Sequence, residues 1–162
     1  MVLASRHLRC NNRLPSFQSE NMQLIIGMSG ASGVVYGIRL LEVLRSQPGI
    51  ETHLIMSESA KMNIGLETDW NVGDVKALAS HVHSNKDIAA TIASGSFRTA
   101  GMVVAPCSIK SLSAIANSYS DSLLVRAADV ALKERRRLVL VPRETPLHTG
   151  HCELLMKASQ LG

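Results

Sequence analysis

Aromatic residues are scarce in this 162-residue sequence: two Phe, two Tyr and one Trp, 3% of the total. Reading single-stranded nucleic acid takes aromatic faces on which bases stack, so that class of partner is not expected. The net charge of +4 points the same way, being modest and largely gathered in Arg6, Arg9, Arg13 and in Arg135, Arg136 and Arg137. Cysteine is almost absent too. Cys10, Cys107 and Cys152 are odd in number and widely spaced, which matches neither a disulfide framework nor a zinc site and suits a reducing compartment; a cytoplasmic location is expected. No apolar run approaches the ~20 residues of a membrane span. The glycine-rich turn near the start has neither the G-x-G-x-x-G order of a dinucleotide site nor the Lys of a P-loop.

What is present fits one soluble globular domain, with 46% apolar and 19% charged residues. Its organising stretch is Met22 to Leu44, MQLIIGMSGASGVVYGIRLLEVL. Leu24 to Met28 has strand length. Gly27, Gly30 and Gly33 follow at intervals of three, with Ser29 and Ser32 between them. Val34, Ile38, Leu41 and Val35, Leu44 then fall at helical spacing, so the pattern is strand, tight turn, helix. Such a turn aims backbone N–H groups at one place on the positive end of a helix, as a phosphate cradle does. Glycine and serine here also suit an ordinary connection that binds nothing.

Residues 1–21 differ from the rest, being Arg-rich with no acid before Glu20. They read as a disordered extension or, alternatively, a mitochondrial targeting segment. The domain is expected over 22–162. Thr52 to Met56 reads as a second strand ending at Ser57, followed by a helix through Met62 and Ile64. Asn71 and Asp74 mark a capped helix running to about Ser80. His81 to Phe97 shows only a weak pattern, and His81 with His83 lacks a third ligand cluster, so no metal is expected. Gly101 to Ala105 is a third strand, apolar enough to be buried on both faces. Helices are expected over Ile109 to Asn117 and, capped by Ser120 and Asp121, over Ser122 to Arg137. Lys133, Glu134 and the arginine run read as a solvated face. Leu138 to Val141 is a fourth strand, and a last helix starts near Thr149. Cys107 at a helix start is open to a nucleophile reading. With no convincing His partner in the sequence it reads better as a small buried residue.

Strands alternating with helices imply an α/β fold, a parallel sheet with helices on both faces in a three-layer Rossmann-like or flavodoxin-like sandwich, each unit adding to the same edge. Ligands of such sheets bind beyond the carboxyl ends of the strands. Each strand ends in polar residues: Ser29 to Ser32, Ser57, Ser108 to Ser111, then Arg143 and Glu144. Hydroxyls, helix starts, Lys110 and Arg143 together suit a phosphorylated ligand. An NAD reading is weaker, because Glu58 sits among serines at the end of the second strand.

The motifs SGASG (Ser29 to Gly33), ETD (Glu67 to Asp69), ASGS (Ala93 to Ser96), PCS with Lys110, RAADVALKERR (Arg126 to Arg136) and LVLVPRETPL (Leu138 to Leu147) closely resemble the UbiX-type flavin prenyltransferases. These belong to the homo-oligomeric flavin-containing cysteine decarboxylase superfamily, and the resemblance covers residues 22–162. It implies a transferase that joins a dimethylallyl group, supplied as a phosphate ester, to reduced FMN, giving the cofactor of a UbiD-type decarboxylase. By match to the family motif, Gly30, Ala31, Ser32, Ser57, Ser108, Ile109, Lys110, Ser111 and Arg143 would hold FMN. Glu144 would handle proton transfer, and Glu67, Arg126 and Lys133 would line the prenyl phosphate pocket, Lys133 facing the site or a neighbouring subunit. A homo-oligomer between trimer and dodecamer is implied. The family continues past the position of Gly162 with a strand, a Tyr and an Arg that grip the phosphate, and a final helix, so the resemblance also implies a C-terminal truncation. Two alternatives follow: an FMN-holding scaffold without turnover, or a cysteine-type flavin decarboxylase.

Overall fold

Short apolar runs of six or seven residues, each closed at or near serine or proline, set four of the strands, and the amphipathic stretches between them set the helices. In the structure, a computed structural model, residues 21–162 are described. Strands are β1 (Met22–Met28), β2 (Ile50–Met56), β3 (His81–Ser84), β4 (Gly101–Cys107) and β5 (Arg137–Pro142). Helices are α1 (Val34–Arg45), α2 (Glu58–Glu67), α3 (Val72–Ala77), α4 (Ile109–Ala116), α5 (Leu123–Lys133) and α6 (Thr149–Gln160). The expectations for residues 1–21 lie outside the described residues, save for Asn21, whose side-chain amide donates to Glu51 at 2.7 Å.

All five strands are parallel, in the order β3-β2-β1-β4-β5. Addition to one edge is therefore wrong. The chain builds outward from β1 through β2 to β3, then returns to the other side of β1 for β4 and β5. Periodicity carries no information on which edge a strand joins. The α/β sandwich is as expected, with a core on each face. On one face Ile26, Met28, Leu54 and Met56 pack on Val34, Ile38 and Leu41 of α1 and Ile64 of α2. On the other, Ile25, Ile55, Met102 and Val104 pack on Leu112 and Ile115 of α4 and on Leu124, Ala127, Ala128 and Ala131 of α5. The small residues of α5 let it lie close to the sheet: a Cβ on Gly27 would stand 3.3 Å from Leu124.

Three local expectations need correction. The weak stretch after His81 contains β3, hidden because its one apolar residue, Val82, is half exposed on an edge strand. Helix α5 ends at Lys133, and neither Ser120 nor Asp121 caps it; Leu123 N–H donates to the Asn85 carbonyl at 2.9 Å and Leu124 N–H to Asn85 Oδ1 at 3.0 Å. The arginine run is not wholly a solvated face. The Arg136 guanidinium donates to the carbonyls of Phe97 at 2.6 Å and Gly95 at 2.7 Å and to Thr99 Oγ1 at 3.3 Å, fastening the approach to β4.

His81 and His83 stand beside His53, a buried residue of β2, while His81 itself stays half exposed. His53 on β2 is 5% exposed, with Nε2 2.6 Å from Gln23 Oε1 and Nδ1 2.9 Å from His83 Nε2. Its ring stacks on His81 at 4.6 Å and meets the edge of Phe97 at 5.1 Å. No cluster of three or more His, Cys, Asp or Glu that could hold a metal occurs among the described residues. Burial first, then His81 and His83, push the His53 imidazole down from 6.5 to about 4, against the opposing pull of Glu51. The unfolded chain thus takes up this proton near pH 6.5 and the folded one only near pH 4, so stability falls as pH drops through that window. The loss should reach roughly 2–3 kcal/mol by pH 4. Urea unfolding of the wild type and His53→Gln at pH 7 and pH 4 should show a smaller pH-dependent loss in the variant by about that amount; equal losses would contradict it.

Candidate functional site

Where the chain order reverses, beside β1, the connections leaving β1 and β4 diverge, and a crevice opens at the carboxyl ends of these strands. Ser29 closes the β1 side. Its N–H donates to the Pro106 carbonyl at 3.1 Å, and its Oγ accepts from Ser108 N–H at 2.7 Å. Ser108 is the N-cap of α4, its Oγ accepting from Ser111 N–H at 3.3 Å and lying 3.2 Å from Ser111 Oγ. A shift of register between Val104 and Cys107 re-aims the end of β5, and Arg143 N–H donates to the Cys107 carbonyl at 3.1 Å. That bond brings Arg143 and Glu144 over the same opening.

Gly30, Ala31, Ser32, Ser108, Ile109 and Arg143 line one open cavity of about 380 Å³ with Glu144 and Thr145. A Cβ on Gly30 would collide with Ser59, so only glycine lets the β1 turn pass beneath α2. A larger opening of about 790 Å³ lies beside β5, lined by Arg135, Arg136 and Arg137 with Leu132 and Leu138. It joins no strand carboxyl ends or helix N-termini, and the smaller cavity is the one where hydroxyls, a guanidinium and a carboxylate meet.

Of the other expected ligands, Ser57 stands at the end of β2 and caps α2, its Oγ accepting from Ala60 N–H at 3.1 Å. Ser111 lies behind Ser108. The Lys110 side chain lines a neighbouring groove with Asn117 and Tyr119; what Lys110 offers the crevice is its place in the first turn of α4. The N–H groups of Ile109 and Lys110 there have no partner among the described residues. A helix start with two such amides is an anion seat.

The turn before α1 is filled differently from the expected phosphate cradle. Glu67 Oε2 accepts from Gly33 N–H at 2.8 Å and Val34 N–H at 3.3 Å, so a carboxylate of the chain itself already occupies that helix start. Gly33 adopts φ 95°, a left-handed conformation that favours glycine. No sequence signal marks this pairing, which joins residues 34 positions apart. Arg126 is paired with Asp129 at 3.3 Å near the start of α5. Lys133, exposed and 3.0 Å from Glu134, sits at the other end of α5 beside Gly95, where the chain enters β4. The seven residues of β4 put that edge about 20 Å from the cavity. Within one chain, then, Lys133 does not reach Glu144. Cys107 is fully buried, and burial pushes its thiol up to about 12, which keeps it protonated and unsuited to nucleophilic attack.

The flavoprotein family profile matches residues 13–159. The flavin prenyltransferase UbiX of Thauera aromatica is 60% identical over 141 residues, covering 87% of this chain and 72% of that protein. Among solved structures, a dodecameric FMN-dependent UbiX-like decarboxylase from Escherichia coli O157:H7 superposes with a TM-score of 0.86 at 55% identity, covering 87% of this chain and 76% of that one. AnUbiX (PadA1), in complex with FMN and dimethylallyl pyrophosphate, gives a TM-score of 0.86 at 47% identity over 88% of this chain and 75% of that one.

The Glu67 cap yields a direct expectation. Glu67→Ala should lower stability by about 1 kcal/mol, the usual worth of a capping carboxylate at a helix start. Glu67→Gln should recover part of that by keeping an acceptor. Denaturant melts of the three proteins check it, and an unchanged Ala variant would deny the cap a stabilising role.

Proposed function

The chain belongs to the flavoprotein family and, within it, to the UbiX flavin prenyltransferases, and from that membership we propose that the crevice between β1, β4 and β5 is its flavin and prenyl site. It is an FMN-using prenyltransferase, joining a dimethylallyl group to reduced FMN. The observation that carries the site assignment is the meeting of Ser32, Ser108, Arg143 and Glu144 around one cavity at the open N-terminus of α4.

The donor set suits FMN. The Ile109 and Lys110 amides, the Ser108 hydroxyl and the Arg143 guanidinium are donors that would meet an anion bound there, and about 380 Å³ lies in the usual range of ligand cavities. Reduced flavin supplies the nitrogen and ring carbon to be alkylated. Gly30, Ala31 and Ser32 would hold the flavin from the β1 side, with Ser57 and Ser111 fixing the helix starts around it. Glu144, exposed at the cavity mouth, would hold and move the proton that alkylation exchanges. Glu67, one oxygen committed to α1, keeps Oε1 for a protonated oxygen of the donor phosphate. Departure of that phosphate builds negative charge, which Arg126 and Lys133 would stabilise. The position of Lys133 at the far edge of the sheet means that it would do so from a neighbouring subunit, as a closed homo-oligomer allows. The product would serve a UbiD-type decarboxylase. A cytoplasmic site of action is proposed, on the few cysteines, unpaired among the described residues, that suit a reducing compartment.

The cysteine-type decarboxylase reading is not favoured beside a relative 60% identical, nor is a scaffold without turnover. Anaerobic incubation with reduced FMN and dimethylallyl phosphate, then mass spectrometry of the released flavin, should give the prenylated form; a parallel run with the pyrophosphate identifies the donor. Glu144→Gln should bind FMN within about threefold of wild type yet turn over at least ~100-fold more slowly. Plain FMN from the wild type with either donor would overturn the transferase reading of this chain, and light scattering showing a monomer would overturn the shared site.

A further inference from the structure

We infer that Ser29 is a positioning residue for the flavin site, making Ser108 a hydrogen-bond donor toward the cavity. The inference rests on reading the crevice as that site. Ser29 is only 1% exposed and does not line the cavity, yet it joins the β1 turn to the loop that does. Buried hydroxyls need partners, and Ser29 Oγ has three within reach: Ser108 N–H at 2.7 Å, the Pro106 carbonyl at 3.1 Å and Ser108 Oγ at 3.3 Å. The first is fixed in direction, because only the amide can donate. Ser29 thereby holds the Ser108 backbone whatever occupies the crevice.

The hydroxyl proton of Ser29 then has two acceptors. Given to the Pro106 carbonyl, it leaves a lone pair of Ser108 Oγ open. Given to Ser108 Oγ, it fills that lone pair, and Ser111 N–H fills the other at 3.3 Å. Ser108 then has only its own proton left to offer. In this structure that proton has Ser111 Oγ, 3.2 Å away, as its acceptor. An acceptor oxygen in the cavity, a phosphate or carbonyl oxygen of the ligand, competes for the same proton, and drawing it outward makes Ser108 Oγ the better acceptor for the Ser29 proton, which favours the second setting. Ser29 thus contributes to affinity through Ser108 without touching the ligand.

The test compares Ser29→Ala and Ser29→Thr with wild type by two measurements. The first is amide exchange in the flavin-free protein. Loss of the acceptor should speed exchange of the Ser108 N–H at least about tenfold in Ser29→Ala, while the Leu54 and Ile55 amides of β2 exchange as in wild type. The second is oxidised FMN titration by fluorescence quenching, in which the Ala variant should bind at least about tenfold more weakly. Ser29→Thr, which keeps the hydroxyl, should return both within about threefold. If the Ala variant does not fold, Ser29→Cys, similar in size but a weak acceptor, carries the same comparison. Unchanged Ser108 exchange, unchanged affinity, equal acceleration in β2, or a Thr variant as impaired as Ala would each overturn the inference. A wild type that binds no FMN would instead overturn the reading of the crevice, and the flavin-free exchange still decides whether Ser29 holds Ser108.

Discussion

Because β1 is hydrogen-bonded along both edges, to β2 and to β4, its side chains have only the two cores to enter, and the connections beyond its end must part. The apolar run Leu24 to Met28 answers the first demand and the glycine turn the second. Everything at the site lies downstream of that divergence. The crevice exists because neighbouring strands send their chains to opposite faces, and Ser29 keeps the two sides in register where they separate.

Two helix starts flank this crevice, and the chain treats them oppositely. That of α1 is satisfied by Glu67, a charge supplied from the end of α2. That of α4 keeps two amides open beside Ser108 and Arg143. One positive end is therefore neutralised internally and the other left for an anion from outside. The arrangement points a phosphorylated ligand to α4, although the glycine-rich turn before α1 looks the more obvious cradle in the sequence.

What was legible in the sequence depended on range. β1, β2, β4 and β5, the Asn71 cap and the start of α1 all rest on residues a few positions apart, and local pattern revealed them. β3 escaped because His81 and His83 alternate with a lone Val82, which looks polar until His53 and Phe97 are seen beside it. The Asn85 cap of α5, the Glu67 cap of α1 and the Arg136 clasp span 34 to 41 positions, and no spacing rule reaches that far. Lys133 and Glu144 lie only 11 positions apart, yet the sequence left open whether Lys133 faces the site or a neighbouring subunit, because that depends on the direction in which α5 runs back along the sheet. Family motifs named residues of one chemistry, but only the topology separates those one chain can gather from those it would need a second chain to bring.

The bond between Ser29 and Ser108 spans 79 positions, whereas Gln23 of β1 meets Glu51 of β2 over 28. Loop closure grows costlier with span, and short-range pairings are available first. In kinetic terms the β1-α1-β2 unit can close early, while the crevice must wait until β4 finds the other edge of β1. The proposed flavin cavity is then among the last features to be completed as the chain folds. A flavin added during refolding would mark, by the time at which its fluorescence is quenched, the docking of β4 and not the collapse of the core.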